Sequence, residues 1–110
     1  VQAGRYRLII RLFSEVDAGR LKELAQTAAA QKTLVLLLSA LEGKLSYVLA
    51  TGEGLALDVS ELMPAVNAAT GGKGGGRGTL AQGMAPSVSG AQETLEQLKT
   101  YFVRRLSDVK

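Results

Sequence analysis

The residues with the most unusual spacing lie between positions 71 and 78, where the chain reads Gly71-Gly72-Lys73-Gly74-Gly75-Gly76-Arg77-Gly78. Glycine loses more backbone freedom on folding than any other residue, so clustering it is costly. The surplus implies positive φ angles in succession, close approach of another backbone, or a ligand resting on bare amides. Exposed amides with two cations four residues apart suit an anionic backbone, because amide nests hold phosphates while lysine and arginine neutralise them. Two nucleotide-binding spacings are excluded. A P-loop needs Gly-x-x-x-x-Gly-Lys followed by Ser or Thr, and Lys73 is followed by Gly74. A dinucleotide fingerprint begun at Gly72 and Gly74 needs its third glycine where Arg77 stands. The alternative is a flexible surface loop of no particular function; the placement of Lys73 and Arg77, with Ala81-Gln82 behind them, weighs against it.

The 110 residues include neither cysteine nor histidine. That excludes disulfides, thiol nucleophiles, zinc ribbons and Ser-His-Asp triads. Asp58 with Glu61, and Glu93 with Glu96, are carboxylate pairs at helical spacing. Nothing near them would split their pKa values for acid–base work, so they read as cap and surface charges. No catalytic residue, metal site or cofactor is therefore expected. The net charge of +3 implies a modest, salt-sensitive affinity for nucleic acid. Arg5, Arg7 and Arg11 would project from one strand face, either as a phosphate-binding row or, more simply, as a solvated face or edge guard. Lys99, Arg104, Arg105 and Lys110 carry the same ambiguity, and helix-dipole complementation accounts for the last three. Of the aromatics Tyr6, Tyr47, Tyr101, Phe13 and Phe102, most read as core. Tyr6 or Tyr101 is the candidate for a ring that stacks on a base near the glycines.

The elements that must hold these residues follow from the pattern along the chain. Arg5 to Phe13 alternates, as a strand with one buried face does. Asp17 is placed to N-cap a helix to about Gln31, with Leu21, Leu24, Ala25 and Ala28 at helical spacing. Thr33 to Leu41 is apolar enough for a strand covered on both faces, and Lys44 to Thr51 returns from it through a Glu42-Gly43 turn. A second helix begins near Asp58 or Ser60 and runs to about Ala69, stopped by Gly71 and Gly72. Thr79 to Met84 is a short strand, and Ala91 to Ser107 a last helix with Leu95, Leu98, Phe102 and Leu106 on one face. The order β-α-β-β-α-β-α describes a compact α/β single domain over residues 1–110, with a mixed sheet of about four strands and helices packed on it. No stretch approaches the roughly 18 apolar residues of a membrane helix. The start at Val1 is no signal peptide, so a cytoplasmic location without a membrane is expected. It also lacks an initiator methionine, the expectation being a domain cut from a longer chain.

The run from Gly71 to Arg77, followed by Ala81-Gln82-Gly83, resembles the signature of the DHHA1 domain in the form found at the C-terminus of alanyl-tRNA synthetase. Arg77 stands where the phosphoesterase branch of that superfamily typically has histidine, which favours the synthetase form. The resemblance implies a non-catalytic domain that contacts the elbow of tRNA, with tRNA-Ala the expected partner. Aminoacylation and editing would be carried out by other domains of the parent protein. It carries RNA contact on to Gly71, Gly72, Lys73, Gly74, Gly75, Gly76 and Arg77, with Gln82 a weaker candidate. The substrate-binding half of a DHH-type phosphoesterase and a dimerisation module that self-associates are the alternatives.

Overall fold

The computed structural model describes residues 2–3, 6–55, 57–87 and 90–107. Arg5 and Lys110, named above, lie outside them. The elements in chain order are β1 (Gln2–Ala3), β2 (Tyr6–Ser14), α1 (Ala18–Ala28), β3 (Thr33–Leu41), β4 (Lys44–Thr51), α2 (Val59–Thr70), β5 (Lys73–Arg77), β6 (Leu80–Ala85) and α3 (Ala91–Ser107). One mixed sheet runs in the order β1-β2-β3-β4-β6-β5, with β2 and β3 parallel and every other pair antiparallel.

Alternation decides which side of the sheet each helix covers. Tyr6, Leu8 and Ile10 are buried beneath α2 and α3, together with Leu36, Leu38, Tyr47, Leu49 and the helix residues Leu62, Val66, Leu98 and Phe102. The opposite side carries a smaller cluster in which Leu21 and Ala25 of α1 pack on Val35, Leu37, Val48 and Ala50. β3 is therefore apolar on both faces, as an interior strand covered by helices must be. Its return to β4 is a two-residue turn with φ of 52° at Glu42 and 77° at Gly43, the combination whose twist suits a hairpin.

Two sequence expectations need correction. The sheet has six strands rather than about four: Gln2–Ala3 is too short to show a pattern, and the glycine run that reads as a loop is a strand. α1 ends at Ala28, not near Gln31, because the chain must swing round at Lys32, whose φ is 56° and whose amide donates to the Glu53 carbonyl. α2 starts at Val59 with Asp58 as its N-cap, where the sequence placed it, and Pro64 lies inside the helix. Pro64 lies on the exposed side, where water can satisfy the carbonyl left without its usual N–H partner.

Candidate nucleic-acid interface

β5 is the outermost strand beyond β6, joined to it by the tight turn Gly78-Thr79 with Arg77 opposite Leu80. The glycines of the segment have distinct reasons to be glycine. Gly71 is the left-handed C-cap of α2, φ 72°, and Gly78 turns the hairpin at φ 73°. The even-numbered residues of the strand lie against their neighbours. A Cβ at Gly74 would meet the Gln82 carbonyl oxygen and Gly83 Cα, each at 2.4 Å. One at Gly76 would meet the Leu80 carbonyl oxygen at 2.3 Å, and one at Gly72 the Met84 carbonyl oxygen at 2.6 Å and the Tyr47 hydroxyl at 2.7 Å. Gly83 answers from β6, where a Cβ would enter the Tyr47 ring at 2.4 Å. Close backbone approach thus accounts for Gly72, Gly74 and Gly76. Gly75 alone of the strand's glycines has ordinary φ and open space where a side chain would be.

The ladder places the functional candidates. Lys73 pairs with Met84, Gly75 with Gln82 and Arg77 with Leu80, so these six residues share one face of the β5–β6 hairpin. β6 continues the face into β4 through Met84–Ser46, Gln82–Val48 and Leu80–Ala50, which is the α1 side of the sheet. The structure brings Lys73, Gly75, Arg77 and Gln82 together and turns the Cβ positions of Gly72, Gly74 and Gly76 the other way. Two cations flank a bare stretch of backbone, with an amide and a thioether beside it. Met84, 48% exposed, is the one exposed large hydrophobic residue among those described. A shallow cleft lined in part by Ala18, Val48, Lys73, Gln82 and Met84 runs between the first turn of α1 and this hairpin.

Two side chains at α2 fix the strand, and sequence reasoning missed both roles. Asn67 accepts from the Tyr47 hydroxyl through Oδ1 at 2.6 Å and donates through Nδ2 to the Gly74 carbonyl at 3.0 Å. The buried ring is thereby linked to the middle of the glycine strand. An Asn within an otherwise apolar helix stretch, Leu62-Met63-Pro64-Ala65-Val66-Asn67-Ala68-Ala69, was the only signal. Asp58 does cap α2 as its position foretold, with Oδ1 accepting from the Ser60 amide at 2.9 Å. The same oxygen accepts from the Gly78 amide at 2.9 Å, and the Val59 amide donates to the Gly78 carbonyl at 3.2 Å. The cap of the helix is also the clamp on the hairpin turn.

Hydrogen bonds from the Ser60 amide and hydroxyl, then from the Gly78 amide, with the Arg77 charge nearby, hold the Asp58 carboxyl below its usual range against a small opposing desolvation. A depressed folded value contributes stability above the unfolded carboxylate pKa of about 3.9, lost as pH falls through the folded value. Asp58→Ala is accordingly expected to lower the melting temperature at pH 7 and to speed exchange of the Gly78 amide. The gap between variant and parent should narrow below about pH 4, where the parent loses its own charged cap. Melting curves and amide exchange across that range check both expectations.

The aromatic expectation is corrected by position. Tyr6 is 4% exposed and lies under α2 and α3, while Tyr101 stands on α3 in edge contact with Phe102, ring centroids 5.3 Å apart. Both belong to the far side of the sheet from Lys73 and Arg77. Tyr47, Phe102 and the apolar face of α3 are core, as their spacing indicated.

Comparison with known proteins agrees with the architecture. No curated protein sequence matches significantly. Fifteen chains of solved structures match. Among them is the crystal structure of the C-Ala domain from Aquifex aeolicus alanyl-tRNA synthetase, which superposes with a TM-score of 0.83 at 25% identity over 97% of this chain and 96% of that one. The family model of the DHHA1 domain matches residues 6–104, from the first residue of β2 to the last turn of α3 and including the whole glycine strand. With that match over nearly its full length, the chain belongs to the DHHA1 domain family.

Proposed function

We propose that the chain is a non-catalytic tRNA-binding module of an alanyl-tRNA synthetase. On this reading it contacts the elbow of tRNA-Ala in the cytoplasm and assists aminoacylation and editing by domains outside it. The observation that carries the reading is the β5–β6 face. Lys73 and Arg77 project from the same side of an edge strand, on either flank of the side-chain-free Gly75, and neither has an ion-pair partner among the described residues. The Gly74 carbonyl points away from β6, to Asn67, so by the alternation of an antiparallel ladder the Gly74 and Gly76 amides face the outer edge too. Cations beside outward amides suit phosphate oxygens, which fix orientation without reading sequence. The likeness to the C-Ala domain supports the synthetase context, as does Arg77 in place of a motif histidine.

The test is titration of tRNA against the chain at several salt concentrations. Lys73→Ala/Arg77→Ala is expected to weaken binding about tenfold or more near 0.1 M salt and to reduce the salt slope by nearly two, about one for each phosphate left without its cation. Unchanged affinity and slope would remove the hairpin from the binding site.

A further inference from the structure

We propose that the RNA surface spans the sheet from β2 to β5 on the α1 side, with Arg7 and Arg11 of β2 forming a second phosphate-binding row, and that its ligand is double-stranded RNA. This rests on the RNA-binding reading above and adds to it a second row and a ligand class.

The pairing register places the two rows. Straight across the sheet, Arg11 is followed by Leu37, Val48, Gln82 and Gly75, each opposite the next. The row on one side of it runs from Ile9 through Val35, Ala50 and Leu80 to Arg77, and the row on the other from Phe13 through Ser39, Ser46 and Met84 to Lys73. Residues opposite one another share a face, so Arg7 and Arg11 point to the same side as Lys73 and Arg77, and Arg11 lies level with the gap between those two cations. Four strand spacings of about 4.8 Å separate the rows by roughly 19 Å. Between them stands α1, seated on Val35, Leu37, Val48 and Ala50. The face is thus a ridge with a row of cations along either foot.

Charge and exposure fit this use. Arg7 and Arg11 are exposed and, like Lys73 and Arg77, have no ion-pair partner among the described residues. The ridge adds Lys22, while Arg20 is taken up by its own acid. Its acids are engaged: Asp17 caps α1 through the Arg20 amide, and Glu23 pairs with the Arg20 guanidinium at 3.5 Å. Glu15 lies beyond the end of β2, with φ 60°.

Duplex is favoured over single strand by the aromatic content of the face. Proteins that hold single strands track one backbone and stack bases on exposed rings. Of the described aromatics only Phe13 is on this side, half-buried against the α1 cluster. Two cation rows separated by a ridge instead suit two phosphate strands on either side of a groove, the shape-based recognition that the wide minor groove of an RNA duplex permits.

The experiment measures binding of the chain to an RNA hairpin with a stem of about 16 base pairs, to an unstructured RNA of the same composition, and to a tRNA transcript. Arg7→Ala/Arg11→Ala is compared with Lys73→Ala/Arg77→Ala and with Lys99→Ala/Arg104→Ala on α3, across the sheet. The proposal expects the parent to prefer the stem. It expects the β2 variant to bind the stem about tenfold more weakly with a salt slope lower by about two, and the α3 variant to stay within about twofold. Melting temperatures of the variants, all at exposed or half-exposed positions, confirm that each is folded. If the β2 variant binds like the parent while the β5 variant weakens, the footprint ends at the hairpin and the second row is wrong. Equal or tighter binding of the unstructured RNA overturns the duplex assignment. If removing either row leaves binding to every RNA unchanged, neither row belongs to the site and the proposal is wrong, whereas a parent that binds none of the three RNAs overturns the RNA reading itself.

Discussion

Alanine at Gly74 and Gly76 together is expected to lift β5 off the sheet edge, at a cost of about 3 kcal/mol or more in denaturant unfolding, near the upper end of overpacking penalties. The obstacles are backbone atoms of Gln82, Gly83, Leu80 and Ala81, which no rotamer change can clear. Lifting the strand also pulls the Gly74 carbonyl from Asn67, leaving that amide and the Tyr47 hydroxyl with weakened partners. For a domain whose whole stability is on the order of 5–15 kcal/mol, this is a large fraction. Gly75→Ala is the matched control: no atom lies within 4 Å of its Cβ, so stability should change by no more than about 0.5 kcal/mol. If the proposed function holds, the double variant loses RNA affinity to at least the extent that Lys73→Ala/Arg77→Ala does. Unfolding curves on the two proteins, with amide exchange along β5, separate a packing role for the even-numbered glycines from a purely ligand-facing one. Equal stability of both variants would contradict the close approach.

Tyr47→Ala is expected to be the more damaging core change, about 3–5 kcal/mol, because a ring 1% exposed would leave a void beneath α2. Tyr47→Phe isolates the hydroxyl. It keeps the ring against Gly83 but leaves Asn67 Oδ1 without its donor, so about 1–2 kcal/mol is expected together with a looser Gly74 tether. The two variants also differ from the parent in alkali. Burial pushes the Tyr47 hydroxyl above its ordinary value, with a hydrogen bond from the Thr70 side chain working the other way. A raised folded value means that this contribution is complete below the unfolded pKa of about 10 and is lost as pH rises through the folded one. The parent should therefore lose stability above about pH 10 relative to Tyr47→Phe, which has no proton there to give up. Melting temperature against pH from 7 to 11 shows whether the gap closes.

Most of the scaffold was legible because its signals are local. Alternation at Tyr6, Leu8 and Ile10, the apolar run of β3, the Glu42-Gly43 turn and the stripe on α3 each act within one element, and each element formed where they indicated. The glycine strand was not legible as a strand, since Lys73 to Arg77 has no apolar alternation and glycine has poor intrinsic preference for extended structure. Its order comes from the β6 ladder and from Asp58 and Asn67, which lie 20 and 7 residues from the groups they hold. Lys73, Arg77 and Gln82 could be named from the motif. Their convergence with Gly75 on one face, and the separation of Gly72, Gly74 and Gly76 from it, depended on the register. Arg7 and Arg11 could be assigned to a face but not to the same face as Lys73, because parity across a sheet is known only once the strand order is.

Nearly everything that shapes the glycine hairpin comes from residues 58–85: the Asp58 clamp, the Asn67 tether, the Gly71 cap and the β5–β6 ladder itself, with Tyr47 reaching in from β4. Contiguous segments of this kind tend to open and close as one cooperative unit, with a free energy below that of global unfolding. The Arg7 and Arg11 row lies in a different unit, the parallel β2-α1-β3 crossover and its hairpin to β4. A ligand gripping both rows would tie the hairpin to β2 across the sheet, and part of its binding free energy would appear as slower exchange of the β5–β6 amides.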